Sequence, residues 1–493
     1  MKKSVLIISV LAIIKLIVQL TGNRNYGFHR DELLHLSVSE HLDWGFMEFP
    51  PLIALIGKMS YALFDYTLMG TRLFPTIAGV AMLVLCCLMA KEFSKNNYAT
   101  LLAGICFLAF IPFYRNHTLF QPVAFDQLFW TMGFYFLVKF FKSEHRRYLL
   151  LTGLTLGLGL MTKYTILVWA LGIFIGLFFY KKAALFRDPW LYIAGLLSFC
   201  IFLPNVLWQF ENNLPIVRHL AGLDEAQLSK IHPMAFGLEQ LEHGFTFVVS
   251  LFGVYFLLKT DQFRSIGMAA VVIFATMWIL QAKSYYVFAL YPVLFSAGAA
   301  QLTNMLQHRA WFWKPTIAAV ILLPSIPFIP YATPMLDITS FTTYAQLESK
   351  KGRVILTGDY ADMFGWEEQV ALVDSVFQSL SDEDKRKCVI WAENYGEAGA
   401  IKILGKKYGL PNPISRHGSF WKWGYGDANA RVWISLGNEK PSVENVFEET
   451  ELVKIIYHKY AIGEENGIPL YVCRKPKVDI EQWWKDYEPF IFD

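Results

Sequence analysis

Two adjacent carboxylates, Asp31 and Glu32, stand in the run Tyr26-Gly27-Phe28-His29-Arg30-Asp31-Glu32, just beyond the chain's first apolar stretch. His35 lies one helical turn beyond Asp31. A carboxylate in the company of His29 and Arg30 could take a proton from an attacking hydroxyl. It could equally occupy the first turn of a helix, where it meets the positive end of the dipole. A third carboxylate, Asp126, follows Arg115-Asn116-His117 and Gln121-Pro122. It also has a second reading, as the cap of the helix it opens. Lys163 and Lys283 each sit between apolar runs. Either could neutralise an anion, or snorkel to a membrane boundary. Carboxylates and lysines on one face suit a reaction that deprotonates a hydroxyl beside an anionic lipid phosphate.

The elements that must position these residues are membrane helices. Of 493 residues, 55% are hydrophobic and 17% charged, with a mean hydropathy of +0.35. Soluble domains carry about a quarter charged residues. A net charge of +3 without a basic face excludes a nucleic-acid partner. Apolar runs at 4–20, 73–90, 98–114, 128–141, 148–161, 164–180, 190–210, 245–258, 266–280, 285–306 and 315–330 predict about eleven spans. Lys2 and Lys3 open the first run and no small-x-small site follows it, so an uncleaved helix is favoured over a signal peptide.

Loop charge then sets the orientation. Lys2/Lys3, Lys91/Lys95, Lys142/Arg146/Arg147, Lys181/Lys182/Arg187, Lys259/Arg264 and Arg309/Lys314 fall in alternate, short loops. That basic set belongs inside. The N-terminus is therefore predicted to be cytoplasmic, and an odd number of spans places the C-terminus outside, in the periplasm if this is a cell inner membrane. Two long loops, at about 22–72 and 211–243, face the same outer side as Asp31, Asp126, Lys163 and Lys283. Amphipathic pieces at 31–41 and 51–64 fit helices lying in the interface.

Residues 1–335 are thus expected to form a transmembrane domain and 336–493 an extracytoplasmic α/β domain. In the latter, 367–380 and 396–408 read as helices and 388–392, 432–436 and 469–473 as strands. Asn394-Tyr395-Gly396, between strand and helix, is a place where backbone N–H groups can meet an anion. The aromatic run Ser419-Phe420-Trp421-Lys422-Trp423-Gly424 could stack on a sugar, or pack the tail onto the membrane surface. Of the six cysteines only Cys388 and Cys473 lie in polar sequence, and two cysteines make no disulfide framework.

An ordered set of motifs resembles the bacterial membrane glycosyltransferases of the dolichyl-phosphate-mannose protein mannosyltransferase type, to which the lipid A aminoarabinose transferases are related. Asp31-Glu32, Leu42-Asp43-Trp44-Gly45, Pro50-Pro51-Leu52 and Thr71-Arg72-Leu73 open it. Gln121 to Asp126, Gly157-Leu158-Gly159 with Lys163, and Lys283 through Tyr285-Tyr286 to Tyr291-Pro292 continue it. Ala361-Asp362, Phe364-Gly365-Trp366, Asn394-Tyr395-Gly396-Glu397-Ala398 and Tyr408-Gly409-Leu410-Pro411 extend it into the tail.

The resemblance implies a GT-C fold, a polyprenyl-phosphate sugar donor and an active site on the extracytoplasmic side. It implies catalytic carboxylates at Asp31, Glu32 and Asp126, with Asp31 at the acceptor. Relatives have a lysine or histidine before the Pro-Pro pair. Here Glu48-Phe49 stands there, which shifts the expected phosphate contact to Lys163, Lys283 or Arg72. His29, His117, Gln121, Tyr285 and Tyr286 are expected around the substrates. The expected reaction moves a sugar to an acceptor hydroxyl on a glycan, lipid or protein, with inversion, and needs no cofactor. Glu48 with His219, His232 or His243 could hold a divalent metal, though at no fixed ligand spacing. A transporter or flippase of a lipid-linked glycan is the alternative. Transporters, however, gather ionisable groups near the midplane in repeated halves.

Overall fold

The computed structural model describes residues 2–179, 181–226, 230–232, 234–350 and 352–486. Tyr180, which ends one expected helix, and the last seven residues lie outside that description. The chain divides into two compact units. One comprises Met1–Asn23, Phe49–Ile53 and Arg72–Met335, the other Arg24–Glu48, Ala54–Thr71 and Leu336–Asp493. Much of the first long loop, read from sequence as part of the membrane domain, therefore belongs to the compact unit of the tail.

The first unit is helical. Lys2–Gly22, Leu68–Phe93, Pro189–Glu211, Ser284–Met305 and Trp313–Ala332 are long and apolar enough to cross a membrane. Ala235–Leu241 and Gly244–Lys259 form a sixth if the 105° bend between them interrupts one span. Asn97–Ala109, Arg147–Leu160, Ile166–Leu177 and Arg264–Ile279 are apolar but shorter. Pro122–Ser143 adds a 22-residue helix.

Local chemistry explains the breaks. The run expected at 98–114 splits because Phe110 is extended and Pro112 starts a separate turn, Pro112–Asn116. Carbonyls freed by such a break need partners where water is excluded. Lys15, fully buried on the first helix, donates to Phe113 O at 3.2 Å, and Gln19 Nε2 donates to Tyr114 O at 2.8 Å. Proline likewise ends regular helix after Leu322, where Leu323–Phe328 is a 3₁₀ segment. Gly253 faces the backbone of Leu294 and Gly298 that of Val249, too closely for a Cβ. Small residues are what let apolar helices approach to this extent.

The second unit holds a four-stranded sheet in the order Cys388–Ala392, Val432–Leu436, Ile468–Pro476, Phe447–Ile456. The first pair is parallel and the other two antiparallel. Val389, Trp391, Trp433, Phe447 and Trp484 fill one side of it. Cys388 and Cys473 sit on the strands flanking Val432–Leu436, and both are free thiols. Arg30–Val38 packs in this unit, Leu33 lying where a Cβ on Gly399 would have to go. Its residues from Glu32 to Val38 are all buried, so it is an interior helix and not one lying in an interface. Leu52–Phe64 does keep an exposed apolar stripe of Leu55, Met59 and Leu63.

Candidate active site

Asp31 owes its place to a helix start. His29 is the N-cap of Arg30–Val38: its Nδ1 accepts from Asp31 N at 3.1 Å, while Glu32 Oε2 accepts from His29 N at 2.9 Å. Such a reciprocal pair satisfies two orphan donors of the first turn. It also consumes Glu32, which is fully buried. Asp31 points elsewhere and accepts a hydrogen bond from the Tyr395 hydroxyl at 3.0 Å.

Acidic residues surround Arg30 and His29. Arg30 Nε lies 2.6 Å from Asp362 Oδ1 and Nη1 3.0 Å from Glu464 Oε2, with Glu465 3.8 Å from Nη2. His29 Nε2 is 3.5 Å from Asp362 and 3.7 Å from Asp359. Burial pushes the Asp362 carboxyl up, against the pull of His29 and Arg30. Glu397 and Glu465 are both enclosed, and burial together with their mutual repulsion raises Glu397 well above the usual carboxylate range. Burial raises Glu465 as well.

In the Asn394-Tyr395-Gly396 turn the N–H groups of Asn394 and Gly396 already have acceptors. Asn394 Oδ1 takes those of Gly396 and Glu397, at 2.8 and 3.0 Å, and Glu397 closes the capping box. The aromatic run packs inside its own unit: Trp423 stacks on His41 at 4.0 Å, and Trp421 and Trp484 exchange indole-to-carbonyl hydrogen bonds. Asp362 and Tyr395 lie within the Ala361-Asp362 and Asn394-Tyr395-Gly396 motifs, which by sequence alone give neither a role. Nothing in their spacing points to Asp31.

The first unit contains a second cluster. Asp126 is 4% exposed, and its oxygens accept from Thr165 Oγ1 at 2.7 Å and Trp130 Nε1 at 3.1 Å. It does not cap: Gln121 occupies the cap of Pro122–Ser143, and Asp126 lies inside the helix. Lys163 is its charged neighbour. The Lys163 ammonium also stands over two aromatic faces, 4.3 Å from the centre of Tyr286 and 5.2 Å from that of Tyr285. Those rings meet edge to face in the 3₁₀ segment Ser284–Leu290, which Lys283 precedes. His219, in Pro215–Ala226, is pushed down to about 4 by burial and by the charges of Lys163 and Lys283. Asp126, Lys163, Lys283, Tyr285, Tyr286 and His219 thus share one neighbourhood; His219 was expected there only as a metal ligand.

The remaining candidates are differently placed. Arg72 is fully enclosed on Leu68–Phe93. His117 is enclosed too, stacked against Phe113 at 5.2 Å and Phe107 at 6.1 Å. Gln121 accepts from Arg115 at 2.6 Å. Glu48 accepts from Ser419 N and Oγ at 2.7 and 2.5 Å, and burial raises its carboxyl. His243 packs among Phe110, Phe288 and Tyr291. Among the described residues no three His, Cys, Asp or Glu side chains converge as a metal site.

A family model described as dolichyl-phosphate-mannose-protein mannosyltransferase matches residues 48–208. ArnT from Cupriavidus metallidurans, solved bound to undecaprenyl phosphate, superposes with a TM-score of 0.61 at 11% identity, covering 95% of this chain and 97% of that one. The fold is ArnT-like throughout. The Archaeoglobus fulgidus oligosaccharyltransferase, solved with a tethered acceptor peptide, gives a TM-score of 0.53 at 12% identity over 84% of this chain and 63% of that one. No curated protein matches by sequence. The resemblance to mannosyltransferase-type membrane enzymes therefore holds, by family model over part of the chain and by fold over nearly all of it.

Proposed function

We propose that this chain is a glycosyltransferase that moves a sugar from a polyprenyl-phosphate carrier to an acceptor hydroxyl, at the periplasmic face of a cell inner membrane. The observation that carries the reading is the Lys163 cluster, which lies in a fold whose relative holds undecaprenyl phosphate. Lys163 and Lys283, half-buried, are the proposed contacts to the carrier phosphate, with Tyr285 and Tyr286 beside them. Arg72 ranks below them because it is enclosed.

Asp31 is the proposed base, and Glu32 is better explained as a cap. The acceptor oxygen bonds to the anomeric carbon as the bond from that carbon to the phosphate oxygen breaks. The hydroxyl proton passes to Asp31, and the carrier leaves as polyprenyl phosphate. In-line displacement inverts the anomeric configuration. Cations beside the leaving phosphate stabilise the charge that develops there. Asp126 is proposed to hold Lys163 in place.

The count of about eleven spans, the cytoplasmic N-terminus and the periplasmic tail are parts of the same proposal and rest on loop charge. The transporter alternative gains nothing from the matches, whose named activities are transfers. The test is a panel of undecaprenyl-phosphate-linked hexoses and aminopentoses, incubated with purified protein and an envelope extract. Release of undecaprenyl phosphate from at least one donor is expected; release from none contradicts the reading.

A further inference from the structure

We infer that Tyr395, carried by a helix of the tail, is the positioning residue of Asp31: its hydroxyl orients the carboxylate and favours the charged form that accepts a proton. The inference rests on the reading of Asp31 as base. Its geometric support lies entirely within one compact unit. Tyr395 is the first residue of Tyr395–Leu404 and donates to Asp31 Oδ1 at 3.0 Å.

The donor is held from several sides. Asn394 and Glu397 form the capping box that fixes the helix start, and Asn394 Nδ2 in turn donates to Glu465 at 3.0 Å. His417 meets the Tyr395 ring edge to face at 4.7 Å. On the other side His29 Nδ1 holds the backbone N–H of Asp31, and Arg30 is braced by Asp362. A carboxylate offers about four lone-pair sites, so one bond from a phenol orients Asp31 without blocking proton uptake. Preorganised donors of this kind cost no rearrangement during the reaction.

Arg30 and Asp362 interact with Tyr395, Asp362 also with Asp31, and His417 meets the tyrosine ring; beyond them His29 holds Asp31 N, Asp359 lies against His29, and Glu464 and Glu465 lie against Arg30. A half-buried tyrosine also takes a partner whatever its role, so loss of activity alone does not distinguish positioning from packing. The pH profile does.

A phenol that donates to a carboxylate favours the ionised form. In full-length Tyr395→Phe, assayed with the undecaprenyl-phosphate-linked sugar that supports turnover, the acid limb of kcat/KM should move up by about half to one pH unit. Site-specific 3-fluorotyrosine at 395, a stronger donor that keeps the ring, should move it down. Neither variant should change undecaprenyl phosphate affinity. An unmoved limb in both, with Asp31→Asn inactive, overturns the role of Tyr395 and leaves Asp31 as base. A near wild-type Asp31→Asn overturns the reading of the base and this inference with it. If Tyr395→Phe fails to fold, the fluorotyrosine protein alone decides.

Discussion

Replacing Lys163 by methionine removes an ammonium while keeping an unbranched apolar side chain. Lys163 contacts two tyrosine faces and neighbours Asp126. Asp126 keeps its bonds from Thr165 and Trp130 in the variant, so the cluster retains most of its internal support. A hydrogen bond to a charged group is worth about 1.5–3 kcal/mol, and 1.4 kcal/mol is a factor of ten in binding. Lys163→Met should therefore weaken undecaprenyl phosphate by roughly 10- to 150-fold. Titration of undecaprenyl phosphate into the full-length protein in nanodiscs, followed by native mass spectrometry, measures the effect. Lys259→Met, at the far end of Gly244–Lys259, is the control. Affinities within twofold of wild type for Lys163→Met, Lys283→Met and the double variant would refute the phosphate site.

The orientation predicts that a reporter active only in the cytoplasm stays silent when fused after residue 486; a bright signal reverses the topology. The Glu397 carboxyl is raised in the folded state, so the stability it confers is complete below the ordinary glutamate range and is lost as pH rises through its folded value. Glu397→Gln stays neutral and can still accept at the cap, so the fall in unfolding midpoint from pH 5 to 8 should be smaller than in wild type. An equal fall in both proteins contradicts the argument.

The apolar helices were legible because apolar runs are a local signal, whereas their breaks at Phe110 and in Ser284–Leu290 depend on partners distant in sequence. The strand Phe447–Ile456 escaped notice because it is an edge strand exposed along most of its length, with Glu448, Glu449 and Glu451 where a buried strand would be apolar. Asp126, Lys163 and Lys283 stand out as charges beside apolar runs, and Asp31 as part of a charged cluster that follows one. That Glu32 is a cap was implicit in His29-Arg30-Asp31-Glu32, but a histidine cap is an uncommon signal. Tyr395 could not be paired with Asp31 from sequence, since 364 positions separate them. Nor could the loop helix Arg30–Val38 be assigned to the compact unit of the tail without the fold.

The most direct test of the account is the turnover of Asp31→Asn, measured as undecaprenyl phosphate release from the active donor in the presence of acceptor. Asparagine keeps the size of the side chain and can still accept from Tyr395, but it takes no proton. Turnover should fall by roughly two to four powers of ten, while undecaprenyl phosphate binds as tightly as to wild type. A stably inserted Asp31→Asn protein that transfers sugar at near the wild-type rate would contradict the account.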